Sequence, residues 1–324
     1  MTPAARRVSS LSAVIPVFNS AEALPQLVSR LEPVLRASAD AFELVLVNDG
    51  SRDGSWRVIE DLERRHEWVR GIDLMRNCGQ HNALLCGIRA ARHDLIVTLD
   101  DDLQNPPEEI PALLGALRDD VDVVYGAPKG EVHGLLRNIA SQVTKIVLQG
   151  VLGASTARMV GPFRVFRTEV RRAFDSYTGT FVNIDVLLTW GTTRFVAIRV
   201  RHDPRPLGRS NYTFRTLLTH SLNMLTGFST IPLQLASLIG FGITLFGAGL
   251  FVFVIARYFL SGVAVPGFAF LASVIIIFSG AQLLTLGIMG EYLARMHFRL
   301  MERPTYTVRT PAAESDRSAL SYPR

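Results

Sequence analysis

Lysine is almost missing from this chain of 324 residues. It occurs only at Lys129 and Lys145, so arginine carries nearly all the positive charge. Cysteine is equally scarce, at Cys78 and Cys86. Two thiols are too few for a disulfide framework or a cysteine-rich zinc site, and fit a reducing compartment. Only 19% of residues are charged against 48% hydrophobic, and mean hydropathy is +0.23. That balance is unusual for a soluble enzyme and points to membrane segments. The opening residues, MTPAARRVSS, lack the roughly 7–15-residue apolar run of a secretory signal. Two phosphate-handling motifs are also missing. Without G-x-x-x-x-G-K-[ST] a P-loop is not expected. Without G-x-G-x-x-G after the first strand, neither is a dinucleotide-binding Rossmann site.

The net charge is +5 and the pI about 9.5. A basic excess suits nucleic acid, anionic lipid or a phosphorylated substrate. Twelve arginines crowd the middle of the chain: Arg137, Arg158, Arg164, Arg167, Arg171, Arg172, Arg194, Arg199, Arg201, Arg205, Arg209 and Arg215. For most of them a solvated basic face is the plainer expectation.

The first half alternates strand-like and helix-like segments. Leu11–Phe18, Phe42–Asn48, Val69–Met75, Asp94–Asp100 and Val121–Gly126 are apolar and rich in β-branched residues. Leu24, Leu27, Val28, Leu31 and Leu35 recur at helical spacing between them, as do Trp56, Ile59 and Leu62. The stretch HNALLCGIRAAR gives a third helix. This alternation predicts an α/β fold with a mostly parallel sheet. Ligands of such sheets bind at the carboxyl ends of the strands. Two acidic turns fall there: NDGSRDGS, with Asp49 and Asp53, and TLDDDLQNPPEEIP, with Asp100, Asp101 and Asp102. Adjacent carboxylates repel unless a cation sits among them. Magnesium and manganese prefer oxygen ligands, often one or two carboxylates plus substrate phosphates. Asp102 with the carbonyl of Gln104 is the candidate metal pair. His81 and His93 are expected to be structural.

From Ile231 the character changes. Ile231–Ala256 and Gly267–Gly290 contain no charged residue. Each exceeds the roughly 20 residues that cross a bilayer as a helix, which predicts a transmembrane hairpin. Arginines flank both ends, whereas the linker holds only Arg257. The positive-inside rule then puts both flanks in the cytoplasm. The expected organisation is a catalytic domain over 1–210, an interfacial helix over 211–230, a hairpin over 231–290 and a cytoplasmic segment over 291–324. The stretch before the hairpin could equally pack on the globular domain. The final TPAAESDRSALSYPR is expected to be disordered.

AVIPVFN, LVNDGSRDGS, RNCGQHNALLCGI, TLDDDLQNPPEEIP, FRVFR and GRSNYTF occur in the order seen in family 2 glycosyltransferases. Over about Leu11 to Tyr306 the chain resembles the membrane-anchored polyprenyl-phosphate members. The undecaprenyl-phosphate 4-deoxy-4-formamido-L-arabinose transferases are the most similar group. The resemblance implies a GT-A fold and inverting transfer of a sugar to a polyprenyl phosphate at the cytoplasmic face of the inner membrane. The donor would be a nucleotide sugar, UDP-linked by likeness, with Mn2+ or Mg2+ as cofactor. It also implies a homo-oligomer and no nucleic-acid partner.

By the family pattern Pro16, Phe18, Val47 and Asp49 would line base and ribose. Asp100 and Asp101 would lie against ribose and diphosphate, and Asp102 and Gln104 would ligate the metal. Arg137 and Arg205 would face phosphates. Asp100, Asp102 and Arg205 are thus the catalytic candidates. Three positions depart from that pattern: Ser20 replaces a Glu, Arg158 an Asp and Asn211 a Lys. Arg209 is expected to take over the lysine's role on the acceptor phosphate beside Arg205. Asp101 itself sits where relatives often carry a small neutral residue. A processive polysaccharide synthase would need a QxxRW-type motif, which is absent. An inactive membrane-anchored sugar-nucleotide binder is the rival that the three departures keep open.

Overall fold

The computed structural model describes residues 7–128, 160–179, 182–203, 231–261, 267–301 and 303–309. The chain divides into two compact units: Met1–Phe214 with Arg303–Arg324, and Arg215–Glu302.

The first unit is built on β1 (Val8–Val17), α1 (Leu24–Ser38), β2 (Ala39–Asn48), α2 (Ser55–Arg65), β3 (Val69–Asp73), α3 (Gln80–Ala90) and β4 (Leu95–Thr98). α4 (Ile110–Ala116), β5 (Val123–Pro128), β6 (Arg164–Arg167), α5 (Ile184–Gly191) and β7 (Phe195–Val200) follow. The strands form one seven-stranded sheet in the order β3-β2-β1-β4-β6-β5-β7. All its pairings are parallel except those of β6, which runs antiparallel to β4 and β5. The expected mostly parallel α/β fold is therefore present, with β6 as the reversed strand.

Alternation along β1 explains the layers. Leu11, Ala13, Ile15 and Val17 face a core shared with α1, α2 and α4. Val14 faces the opposite core, made with α3 and α5. α1 buries Leu24, Leu27, Val28, Leu31 and Leu35, the stripe its spacing predicted. α3 lies so close to the sheet that a Cβ on Gly87 would stand 2.4 Å from Val14 Cγ1 and 2.9 Å from Val47 Cγ2. Only a glycine allows that approach.

From β1 the chain winds outward through β2 to β3, then returns to place β4 on the other side of β1. The crossover direction reverses between β1 and β4. That is the topological switch point, where ligands of open α/β sheets bind.

The second unit holds α6 (Ile231–Ser261) and α7 (Phe268–Leu300). The two pack together, with Gly247 of α6 against the Phe278 ring of α7. Within α6, Leu233–Phe253 has mean hydropathy 2.1 and is long and apolar enough to cross a membrane. It is the one such helix among the described residues. α7 runs ten residues past the expected end at Gly290. The expected interfacial helix over 211–230 and the polar tail from Thr310 lie outside the described residues.

Candidate active site

The site grows from the carboxyl ends of β1, β2 and β4. Pro16 and Val47 are register partners on neighbouring strands. The chain then turns at Phe18, whose ring is exposed, and at Asn19, in the left-handed region at φ 55°. Asn19 is fixed there from both sides. Its N–H donates to Ser51 Oγ at 3.0 Å, and its Oδ1 accepts the Arg52 N–H at 2.8 Å. Val47 itself is fully buried, with its side chain beside Gly87 of α3.

Asp49 is buried just past β2, where its carboxylate accepts the Cys78 N–H at 2.6 Å and the Gly79 N–H at 2.8 Å. Gly79, at φ 94°, precedes the first turn of α3, so Asp49 fixes the turn that enters that helix. Burial pushes the Asp49 carboxyl up, and the two N–H bonds and Arg76 draw it back only in part. Gly50 (φ 63°) is a required glycine: a Cβ would stand 2.4 Å from the Asn77 backbone nitrogen.

Asp53, the other acid of that turn, has a structural task. It accepts the Ala21 N–H at 3.1 Å and the Ser55 hydroxyl at 2.5 Å, tying the β1 turn to α2. Burial pushes its carboxyl up, but the Ser55 and Ala21 bonds outweigh that and hold it below the usual range.

The three acids after β4 take three different partners. Asp100 accepts from Gln80 Nε2 at 2.5 Å. Asp101 accepts the Phe18 N–H at 3.1 Å. Asp102 accepts the Gln104 N–H at 3.1 Å. Burial pushes the Asp101 carboxyl up; Ser20 and Phe18 oppose this, and the Asp102 charge adds to it. Ser20, one of the departures from the family pattern, donates its hydroxyl to the Phe18 carbonyl at 3.3 Å, beside the N–H that Asp101 accepts. Leu103, between the last acid and Gln104, has φ 60°. A branched aliphatic residue in that region is strained. Its side chain is buried in the core with Ile110 and Leu113, which holds the turn.

Behind this loop lies a charge network that sequence reasoning missed. Arg164 on β6 is only 1% exposed. It bonds Asp185 of α5, and its Nε donates to Thr98 Oγ1 at 3.0 Å. Tyr125 OH donates to the same Asp185 oxygen at 3.1 Å. The expectation of a solvated face is corrected for Arg164, and in part for its neighbours. Arg171 donates to the Ile88 and Ala91 carbonyls at the end of α3. Arg167 and Arg194 pair with Asp122. Arg164 takes its acceptors inside the core, whereas the Arg194 side chain remains half exposed.

His81 is structural as expected, its Nδ1 accepting the Ile184 N–H at 3.3 Å. Burial pushes the Cys86 thiol up to about 12, which leaves it no role as a nucleophile. Past Gln104 the loop is pinned just beyond β7, where the Asp203 N–H donates to the Gln104 carbonyl at 2.9 Å, and to α1, where Arg30 pairs with Glu108 at 2.7 Å. Arg137, Arg158, Arg205, Arg209 and Asn211 lie outside the described residues. Gln80 carried a sequence signal, because it stands in the quoted RNCGQHNA run. The N–H groups on Asp49 carried none, because any residue supplies a backbone donor.

Acidic loops at the switch point of a largely parallel sheet stand where open α/β folds bind ligands. Comparison with known proteins makes the class definite. Residues 12–174 match the family described as Glycosyl transferase family 2. The chain is 35% identical over 306 residues to an undecaprenyl-phosphate 4-deoxy-4-formamido-L-arabinose transferase of Shewanella sediminis, covering 94% of this chain and 92% of that one. It is 36% identical over 304 residues to the protein of the same name from Pseudomonas paraeruginosa, covering 93% and 90%. The chain belongs to glycosyl transferase family 2 and is a glycosyltransferase. Its fold is similar to that of glucosyl-3-phosphoglycerate synthase from Mycobacterium tuberculosis, solved with Mn2+, UDP and phosphoglyceric acid. That likeness has TM-score 0.51 and 15% identity, covering 67% of this chain and 76% of that one. It fixes the fold as GT-A-like.

Proposed function

We propose that this enzyme transfers a sugar from a UDP-linked nucleotide sugar to undecaprenyl phosphate, with inversion, at the cytoplasmic face of the inner membrane. The product would feed a cell-envelope glycan or a lipid A modification. The supporting observation is the meeting of Phe18, Asp49 and Asp100–Gln104 at the β1/β4 switch point, in a chain collinear with relatives bearing that transferase name.

The exposed Phe18 ring offers a stacking face to the base. Asp49 and Asp100 are held by Gly79 and Gln80, so both are oriented before the donor arrives. Asp102 and Gln104 fit a hard divalent cation, since both offer oxygen. Among the described residues no group of three His, Cys, Asp or Glu side chains could hold an ion. The remaining ligands would then be substrate oxygens, as Mg2+ and Mn2+ sites commonly arrange. Such a metal would stabilise charge on the leaving diphosphate.

The acceptor needs little activation. A phosphate monoester, with a second pKa of about 6, is largely dianionic at pH 7. The loss of a carboxylate at Arg158 is then tolerable, and the residual task is positioning. Arg205 and Arg209 are assigned to the acceptor phosphate, and Arg137 to the donor phosphates, through bidentate contacts. Two spans, about 231–256 and 267–290, would anchor a homo-oligomer beside an acceptor that cannot leave the bilayer.

The test is transfer of labelled sugar from UDP donors to undecaprenyl phosphate with Mn2+ or Mg2+. Asp102→Ala should lower the rate at least about 100-fold, the scale of losing charge stabilisation in the transition state. Transfer equal to wild type would reject the metal assignment.

A further inference from the structure

Past α7 the chain returns to the catalytic unit as a short strap. Thr305 is buried there. Val308 forms an antiparallel bridge with Leu74, just beyond β3. The Met75 N–H donates to the Thr307 carbonyl at 2.9 Å, and the Arg309 N–H to the Asp73 carbonyl at 2.7 Å. Tyr306 lies against α3, where its hydroxyl meets Arg89 at 3.4 Å and Cys86.

The strap reaches Asp49 by two routes. Arg309 Nε donates to Asp73 Oδ2 at 2.8 Å. The other oxygen, Asp73 Oδ1, accepts from Asn48 Nδ2 at 2.6 Å, inside the fold. Asn48 adjoins Asp49, and its Oδ1 accepts the Ser51 N–H at 3.3 Å. The second route runs through backbone. The Thr307 carbonyl holds the Met75 N–H, three residues before Cys78, and Cys78 and Gly79 are the residues that donate to Asp49.

We propose that the strap Thr305–Arg309 is part of the donor site, with Arg309 as a positioning residue. Acting through Asp73 and Asn48, it sets the loop that carries Asp49, and so the affinity for the nucleoside diphosphate of the donor. The segment that follows the apolar helices thereby completes the nucleotide pocket. This rests on the reading that Asp49 faces a nucleotide.

Full-length protein in detergent, titrated with UDP and assayed for transfer, tests it. Arg309→Ala should weaken UDP binding and raise the donor KM about tenfold, the value of one charged hydrogen bond. The kcat and the acceptor KM should hold within about twofold. Arg309→Lys, which keeps a charged donor, should recover most of the loss. A chain ending at Met301 should bind UDP more weakly than Arg309→Ala. Wild-type UDP affinity in both Arg309→Ala and the shortened chain would overturn the proposal while leaving the donor-site reading intact. Equal losses in kcat and acceptor KM would overturn it too, because they mean general loosening. A wild-type protein that binds no UDP would refute the donor-site reading, and this proposal with it.

Discussion

Single carboxylates in this protein do different work because their surroundings differ. Asp101 accepts the Phe18 N–H, so the middle acid of the triple run braces the β1 turn. That was not legible in the sequence, where three adjacent aspartates look alike. Asp122 is a contrasting case. Burial pushes its carboxyl up, but the Arg194 and Thr192 hydrogen bonds and the Arg194 and Arg167 charges outweigh burial and hold it below the usual range. A lowered pKa gives stability that is present above the unfolded value of about 3.9 and lost as pH falls through the folded pKa. Asp122→Asn should therefore cost about 1–3 kcal/mol at pH 7. The gap to wild type should close as denaturation is repeated at falling pH below about 4. A gap constant with pH would contradict this account. Asp185 carries the larger penalty. Asp185→Ala strands Arg164 in the core, and removing one member of a buried pair costs about 3–5 kcal/mol. Urea titration should show that loss, with transfer activity falling as the Thr98 end of β4 loosens.

At the scale of elements, legibility followed burial. β1, β2 and β4 are apolar runs covered on both faces, so composition revealed them. β6 did not show itself, because two of its four residues are arginines, and both find acceptors that a sequence does not display. The strap was hidden for a similar reason: Thr305–Arg309 is too short and polar to announce a pairing with Leu74. The acidic turns were readable as candidates because they follow buried strands. What each acid touches was not, since Gln80, the Phe18 N–H and the Cys78 N–H come from other elements. The close seating of α3 yields a prediction of its own. Gly87→Ala would drive a methyl group into Val14 and Val47. Overpacking of this kind costs about 1–3 kcal/mol, and it should appear as a lowered thermal midpoint. An unchanged midpoint would mean that α3 can shift away from the sheet.

For the whole molecule, the proposed function would divide a water-soluble donor and a lipid acceptor between the two units. The GT-A-like unit presents its acids at one sheet edge, and the second unit supplies an apolar helix long enough for a bilayer. The arginine bias around the apolar segments agrees with a cytoplasmic catalytic unit. The central claim is metal-dependent transfer onto a polyprenyl phosphate. The direct measurement is mass spectrometry of the lipid fraction after purified protein is incubated with undecaprenyl phosphate, a panel of UDP-sugars and Mn2+. The account predicts a sugar–phosphate–undecaprenyl product with wild type, and none after EDTA or with Asp102→Ala. No glycosylated lipid from any donor, or the same yield with EDTA, would contradict it.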